Sequence, residues 1–332
     1  ARAAGRRNKV ERFLPSRTAL FTAALLLLSA AWGALASGNF IPPAGNQGIA
    51  LPSADGWLSN PLLSFGASMA ANGLIMVLML FLNKRFNLLR EISALFCVLF
   101  AAMQIATPML LAQLNTGPVL ALVVGACLAL MFSCYANPDE RRRVMLVFFL
   151  LSAGFATQYA YAVYLPVMLL CCWQMRVMSA RAAVGIFLGL ITPWWLLAAV
   201  GFLFPWQLHF HLPQWADVFA VFTFADGARL AVTLLLTGSV FVMAVVFDLF
   251  RTIAYNARAR SYNGTIVLTA AITIVAMAVD YKNVTAYIPL LNMLAAMQGA
   301  QFFIIHRSER SWIGIVALLV AYASLYLWDI LG

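Results

Sequence analysis

The sequence contains little charge and few of the residue types on which most enzyme sites depend. Charged residues make up 10% of its 332 residues, against about 25% in soluble domains. It has 11 acidic residues, three histidines and no glycine-rich phosphate-binding loop. The acidic residues are too scattered for a proton relay through a membrane, and the histidines are too scattered for a multi-histidine iron centre. These absences argue against a phosphate-loop enzyme, an ion pump and an oxygenase.

The cysteines provide no structural framework. Each of the five lies inside an apolar run, where a thiol behaves as a small hydrophobic group; they are Cys97, Cys127, Cys134, Cys171 and Cys172. Their spacing fits neither a disulfide framework nor a metal site. We therefore expect no metal and no cofactor.

What the sequence does contain is apolar residues, at 64% of the chain, against roughly 45–50% in soluble domains. Its mean hydropathy is +0.90. No polar stretch between the apolar runs is long enough to form a soluble domain. We predict an all-α, polytopic membrane protein with a basic N-terminal segment at 1–17 and a single transmembrane domain at 18–332. The longest loops are expected on the outer side, at 38–60 and 205–229.

The distribution of basic residues predicts an orientation. If the apolar runs cross a bilayer in turn, 19 of the 21 Lys and Arg residues fall on one side, and only Arg229 and Lys282 fall elsewhere. Cytoplasmic loops carry the excess of Lys and Arg, so this side is predicted to be cytoplasmic. The prediction is about 11 transmembrane helices, with ten or twelve as alternatives, in a bacterial inner membrane. The N-terminus is then cytoplasmic and the C-terminus periplasmic, and the net charge of +10 requires no nucleic acid.

One segment, at 144–175, is too short for two ordinary crossings. Its flanks, Arg143 and Arg176, are both predicted to be cytoplasmic, so an even number of crossings is required. Two helices of about 15 residues each span only about 23 Å of a hydrocarbon core of roughly 30 Å. We predict a hairpin of short or broken helices that turns near residues 154–158, and such turns line binding sites in transporters. Gln158 and Tyr159 are therefore candidate ligand-binding residues; the alternative is a thin, tilted hairpin without a ligand.

Three further candidates are expected on the outer face. His209 and His211 alternate along the chain and would lie on one side of an extended segment, with Asp217 close by in sequence. Zinc needs at least a third protein ligand, so contact with a ligand or a lipid headgroup is the interpretation kept for these three residues. Packing of amphipathic side chains at the membrane interface is the alternative.

Asp55 is the candidate catalytic residue. It follows the first predicted helix, and this position is similar to that of the catalytic carboxylate in polyprenyl-phosphate-dependent glycosyltransferases of the GT-C type. The resemblance implies that Asp55 acts as a general base at the outer face. However, a single Asp in Asp55-Gly56 replaces the paired acidic motif that is frequent in those enzymes. Because Asp-Gly is a common turn dipeptide, a turn is the alternative role.

The basic cluster Arg141, Arg142 and Arg143 suggests contact with lipids. Such residues hold anionic lipid headgroups at about 1 kcal/mol per charge, although they also serve simply to determine topology. Gly66, Ala70 and Gly73 form a small-xxx-small pattern, which can indicate close helix packing, although ordinary helix packing is the preferred interpretation.

A more extended resemblance is based on loop charges and on a few Gly and Pro positions. The basic stretch from Lys84 to Glu91, Pro108, Arg181 and the run from Gly189 to Trp194 resemble an uncharacterised family of polytopic inner-membrane proteins from Bacteroidota. The resemblance covers roughly residues 60–310 and implies no particular catalytic residues.

Three functions fit the sequence. The first is the handling of a polyprenyl-phosphate-linked or other glycolipid intermediate at the periplasmic face, with GT-C-like glycosyl transfer as the reaction. The second is a non-catalytic scaffold or partner subunit of a cell-envelope complex. The third, which depends on the short hairpin alone, is a transporter of small molecules or lipids. The expected partners are membrane lipids, a polyprenyl-phosphate-linked sugar and an envelope protein.

Overall fold

The computed structural model describes residues 16–38, 50–88, 94–137, 139–203, 224–249, 256–280, 283–305 and 311–331. These residues form helices and connecting turns, without strands. Eleven α-helices occur among them: α1 (Arg17–Ser37), α2 (Pro61–Phe86), α3 (Leu95–Ile105), α4 (Thr116–Ser133), α5 (Arg141–Thr157), α6 (Tyr164–Gln174), α7 (Ala180–Leu203), α8 (Phe224–Leu249), α9 (Ala257–Val279), α10 (Val284–Ile305) and α11 (Ser311–Leu331). Three 3-10 turns accompany them, at Ala54–Gly56, Pro108–Leu110 and Tyr159–Val163.

Seven of the described helices are long and apolar enough to cross a membrane, namely α1, α2, α4, α7, α8, α9 and α11. This agrees with the predicted class, a helical membrane protein. The number of spans and the orientation of the termini remain predictions.

Several helix ends follow from local sequence. The Asn60 side chain accepts from the backbone N–H groups of Leu62 and Leu63 and so caps α2, as an asparagine before a helix commonly does. The Asn115 side chain caps α4 in the same way. The first helix ends at Gly38, whose φ of 71° is the left-handed conformation that glycine adopts most easily.

Helix α10 lies at the centre of the bundle. It packs against α3, α4, α8 and α9, and residues 286–300 are all buried. Its polar side chains therefore face protein. The Asn292 amide donates to Gln104 Oε1 (2.8 Å) and the Gln104 amide donates to Asn72 Oδ1 (2.7 Å). This chain of amides connects α10, α3 and α2.

A second polar chain connects α10 to α9 and α8. The Gln298 amide donates to Asn263 Oδ1 at 2.7 Å, and the Asn263 amide donates to the carboxylate of Asp248. All three side chains are buried. Ionisable groups in membrane segments are costly and face the bundle interior, which is where Asp248 lies.

The hairpin at 144–175 contains a broken helix, and the break lies where it was expected. Helix α5 ends at Thr157, Gln158 is extended with φ −157° and ψ 134°, and a 3-10 turn leads into α6. The chain therefore turns at Gln158, as the short distance between the flanking arginines predicts.

The end of α3 at Ile105, ahead of Pro108, was not anticipated. There the residue before Pro108 leaves the helix, since proline disfavours the α conformation of its predecessor. The polar groups that follow are satisfied: Leu114 N donates to Ser64 Oγ (2.9 Å) and the Asn115 amide donates to the Leu110 carbonyl (2.7 Å).

A close contact between helix backbones joins α5 and α7. A Cβ atom added to Gly189 would overlap the Met145 carbonyl oxygen, and one added to Gly185 would lie 2.9 Å from the Arg141 carbonyl oxygen. By contrast, a Cβ atom added to Gly66 or Gly73 would meet no atom within 4 Å. Gly185 and Gly189, four residues apart on one face of α7, therefore form a helix contact that needs small residues.

The two ends of the bundle differ in charge. At one, the cationic end, Arg143 donates to the Ser133 carbonyl (3.0 Å), Arg181 pairs with Asp139 (2.9 Å), and Arg258 stacks on the Tyr262 ring. At the other, the acidic end, the described charged side chains are those of Asp55, Arg229, Asp280 and Asp329. The rule for cytoplasmic loops predicts that the cationic end faces the cytoplasm.

Cysteine labelling tests this orientation, because all five native cysteines are buried. Arg142 and Gly56 are exposed at opposite ends. We expect Gly56→Cys to react with a membrane-impermeant maleimide added to the periplasmic side, and Arg142→Cys to react only after permeabilisation. Labelling of Arg142→Cys from the periplasmic side would show that the predicted topology is inverted. The unsubstituted protein is the control for background labelling.

Candidate functional site at the acidic end

Several irregular segments of the chain meet at the acidic end. The backbone N–H groups of Ala50 and Leu51 donate to the Ala156 carbonyl at 3.1 and 2.9 Å, which places the loop after α1 over the end of α5. Further along this loop, Asp55 contacts the start of α4. Irregular backbone at membrane depth is tolerated where it is buried in protein or lines a cavity, so this end is where a ligand site would be expected.

Asp55 binds the first residue of α4. Its Oδ1 accepts from the backbone N–H of Thr116 (3.1 Å), and its Oδ2 accepts from the Thr116 hydroxyl (2.9 Å). A carboxylate at a helix N-terminus is favoured by the helix dipole. Asp55 is partly exposed, and a carboxylate can accept about four hydrogen bonds, so each of its oxygens can still accept one from a ligand.

A second acidic group lies at the turn between α9 and α10. Asp280 Oδ1 accepts from the Asn283 amide (2.8 Å) and Asp280 Oδ2 accepts from the Tyr287 hydroxyl (2.9 Å). The Gln158 amide donates to Asn283 Oδ1 at 3.5 Å. These four residues, the Asp280 cluster, connect the α9–α10 turn with the break after α5. Gln158, Asn283 and Tyr287 are buried and Asp280 is partly exposed.

The predicted ligand-binding pair separates in the structure. Gln158 joins the Asp280 cluster, whereas the Tyr159 ring lies 6.4 Å from that of Phe155, which in turn lies 5.9 Å from Trp194. The two neighbours in sequence therefore face different surroundings.

Asp280 was not among the candidate site residues chosen from the sequence. It lies in the turn before α10, three residues before Asn283 and seven before Tyr287. A carboxylate in an outer turn, close in sequence to an amide and a phenol, is the signal that could have indicated it.

Some of the other candidate residues lie outside the described residues, and the rest lie at the cationic end. His209, His211 and Asp217 lie outside the described residues. Arg141 and Arg142 are exposed at the start of α5, where they are available to a lipid headgroup. Arg143 instead contacts the Ser133 carbonyl and Glu140 Oε1, the latter at 3.3 Å. Over the ranges that the structure describes, no three His, Cys, Asp or Glu side chains group as metal ligands would.

The helices and their charge distribution define a polytopic α-helical membrane protein. Comparison with known proteins does not narrow this class further. The chain matches no family model, no curated protein and no solved structure.

Proposed function

We propose that this membrane protein handles a polyprenyl-phosphate-linked or other glycolipid intermediate at its acidic end. The observation that supports the proposal is the Asp280 cluster, in which buried amides and a buried phenol surround a partly exposed carboxylate next to a helix break. A few convergent polar groups in a largely apolar setting are typical of small-molecule sites. Asp, Asn and Gln offer the donors and acceptors that sugar hydroxyls need, and the apolar bundle suits the lipid chain.

In this proposal the two carboxylates have different roles. Asp280 is already oriented by Asn283 and Tyr287, and it would accept hydrogen bonds from the sugar. Asp55, held by the single residue Thr116, would accept the proton of an attacking hydroxyl as a general base. The transferred sugar would leave its polyprenyl phosphate as the new glycosidic bond forms.

Replacing Asp55 by asparagine tests the catalytic role with little structural disturbance. The oxygen of the introduced amide can still accept from the Thr116 N–H, and its NH₂ group can donate to the Thr116 hydroxyl, so both hydrogen bonds at this position survive. If Asp55 is the general base, we expect the glycolipid product to fall by a factor of about 100 or more at an unchanged amount of folded protein. Mass spectrometry of lipid extracts from a deletion strain that carries each variant measures the product.

Matched variants separate catalysis from structure. Thr116→Val removes one of the two hydrogen bonds to Asp55 but leaves its charge, and should retain most of the product. Asp280→Asn removes the charge of the second carboxylate and should weaken glycolipid binding. Full product formation by both Asp55→Asn and Asp280→Asn would refute the enzymatic proposal.

The contact between Asp55 and Thr116 favours a second candidate, a non-catalytic scaffold or partner subunit of an envelope complex. Both carboxylate oxygens are used to fix the outer loop to α4, which is the task of an anchoring residue. In that case Asp55→Ala would lower the amount of folded protein, because two hydrogen bonds of about 1 kcal/mol each are lost. Asp55→Asn would then change neither the amount of glycolipid product nor the amount of folded protein.

A further inference from the structure

A cluster of sulfur atoms lies between α4 and α6, near the cationic end. Cys172 Sγ lies 3.9 Å from Met131 Sδ. Cys134 follows Met131 by three residues at the end of α4, a spacing that places the two side chains on one face of the helix. All three residues, here called the sulfur cluster, are fully buried. The cysteine spacing in the sequence does not reveal the cluster, because one member is a methionine and the members come from two helices.

The ends of α4 and α6 are joined by the backbone. The Ala136 N–H donates to the Met175 carbonyl at 3.0 Å, and these two residues follow Cys134 and Cys172 by two and three positions. The Cys172 thiol lies within electrostatic range of the Cys134 thiol. The Cys134 thiol donates to the Leu130 carbonyl (3.2 Å), a bond within its own helix that it gives up when it loses its proton. The backbone thus holds two thiols and a thioether in one place.

Two of the other cysteines contact backbone oxygen atoms instead. The Cys97 thiol donates to the Met76 carbonyl (3.5 Å), and the Cys127 thiol donates to the Val147 carbonyl (3.7 Å). A buried cysteine with such a contact is an ordinary core residue. The contact between two sulfur atoms distinguishes the sulfur cluster from these sites.

The kind of donor atom selects the metal that the sulfur cluster suits. Thiolate and thioether sulfur are soft ligands that favour Cu(I). Structural zinc takes four ligands from Cys, His and carboxylate side chains, and iron–sulfur clusters take four cysteines. Two sulfur atoms bound to one ion at about 2.3 Å each, in a trigonal arrangement, lie about 4 Å apart. The 3.9 Å between Cys172 Sγ and Met131 Sδ fits this separation.

The charge next to the sulfur cluster also suits Cu(I). A Cu(I) ion bound by two thiolates carries one net negative charge, and a buried charge needs a partner. The Arg143 guanidinium contacts the Cys134 thiol and can provide that partner. Because the Arg143 side chain is partly exposed at the cationic end, one edge of the cluster lies next to the surface, where an ion can enter.

We propose that Met131, Cys134 and Cys172 bind one Cu(I) ion. On binding, the two thiol protons pass to solvent and three metal–sulfur bonds form, with no transfer of electrons. The ion joins α4 to α6. The predicted orientation places this end in the cytoplasm, where thiols stay reduced. The proposal is independent of glycolipid handling, which concerns the opposite end of the molecule.

Competition for Cu(I) tests the proposal. When purified, reduced protein in detergent is mixed without oxygen with the Cu(I) complex of bicinchoninate, we expect it to withdraw one equivalent of copper. Cys134→Ala and Cys172→Ala should each lower the affinity by a factor of about 100 or more, and Met131→Leu should lower it about tenfold. The matched controls, Cys127→Ala and Met103→Leu, change fully buried residues outside the cluster and should bind copper as the unsubstituted protein does. No uptake by the unsubstituted protein, or equal uptake by Cys172→Ala, would overturn the proposal.

X-ray absorption at the copper edge covers the case in which a variant does not fold. The spectrum of the unsubstituted, copper-loaded protein should show three sulfur atoms at about 2.3 Å from the ion, and a shell of nitrogen or oxygen ligands would contradict the assignment. Cu(I) should also raise the midpoint of thermal unfolding, because an ion that binds only the folded protein stabilises it. Zn(II) should leave the midpoint unchanged, and an equal shift with Zn(II) would rule out a site selective for Cu(I).

Discussion

Gly189→Leu is expected to separate α5 from α7 and to destabilise the protein by about 3 kcal/mol or more. A Cβ atom at this position would overlap the Met145 carbonyl oxygen and lie 3.1 Å from the Phe149 backbone nitrogen. Neither contact can be relieved by the rotation of a side chain, because both atoms belong to the backbone of α5. Even Gly189→Ala should lower the midpoint of thermal unfolding in detergent.

The chain provides its own control for this substitution. Gly66→Leu places the same side chain on α2, where an added Cβ would meet no atom within 4 Å, and its midpoint should equal that of the unsubstituted protein within experimental error. A Gly189→Leu protein as stable as Gly66→Leu would mean that α5 and α7 are not in close contact. Because α7 packs mainly on α5, proteolysis of the α6–α7 connection should also accelerate in Gly189→Leu.

The second large effect is expected for Gln104→Leu. Gln104 is the middle member of the amide chain, and leucine would leave Asn72 Oδ1 and the Asn292 amide without their hydrogen bonds. Interhelical hydrogen bonds in membrane proteins contribute about 0.6 kcal/mol on average. A buried polar group left unsatisfied costs about 1–3 kcal/mol. Because two groups are orphaned at once, we expect a loss of roughly 2–4 kcal/mol in denaturant titrations.

Ser68→Ala is the matched control for Gln104→Leu. Ser68 is fully buried one turn before Asn72, and its hydroxyl has no hydrogen-bond partner within the described parts of the chain. Its removal should therefore be neutral or slightly stabilising. The triple variant Asn72→Leu, Gln104→Leu and Asn292→Leu should recover part of the stability lost by Gln104→Leu, since no amide is then orphaned. If Gln104→Leu left the stability unchanged, the amide chain would contribute nothing to the stability of the fold.

The membrane class and the position of one helix break could be predicted from the sequence. Both follow from properties that act along the chain: the length of the apolar runs, the alternation of basic loops, and the short distance between Arg143 and Arg176. A break within residues 154–158 was predicted because a bilayer has a fixed thickness, and the structure has it at Gln158. The second break, before Pro108, was missed, although its signal was equally local.

Properties that depend on which helices are neighbours could not be predicted. Gly66 and Gly189 are both glycines in small-residue patterns, and nothing in the sequence shows that, of the two, Gly189 is the one that meets the backbone of another helix. The Asp280 cluster likewise requires the contact between Gln158 and Asn283, which are 125 positions apart. Asp55 was identified as a charged residue at the outer face, but its bond to Thr116 emerges only from the fold.

The central position of α10 has a consequence for how the protein enters the membrane. Alone in lipid, the side-chain amides of Asn292 and Gln298 would face hydrocarbon, an unfavourable environment for polar groups. Their partners on α3 and α9 are synthesised earlier in the chain. We therefore expect α10 to be poorly recognised by the translocon when it is presented in isolation. It should insert only together with the helices that were synthesised before it.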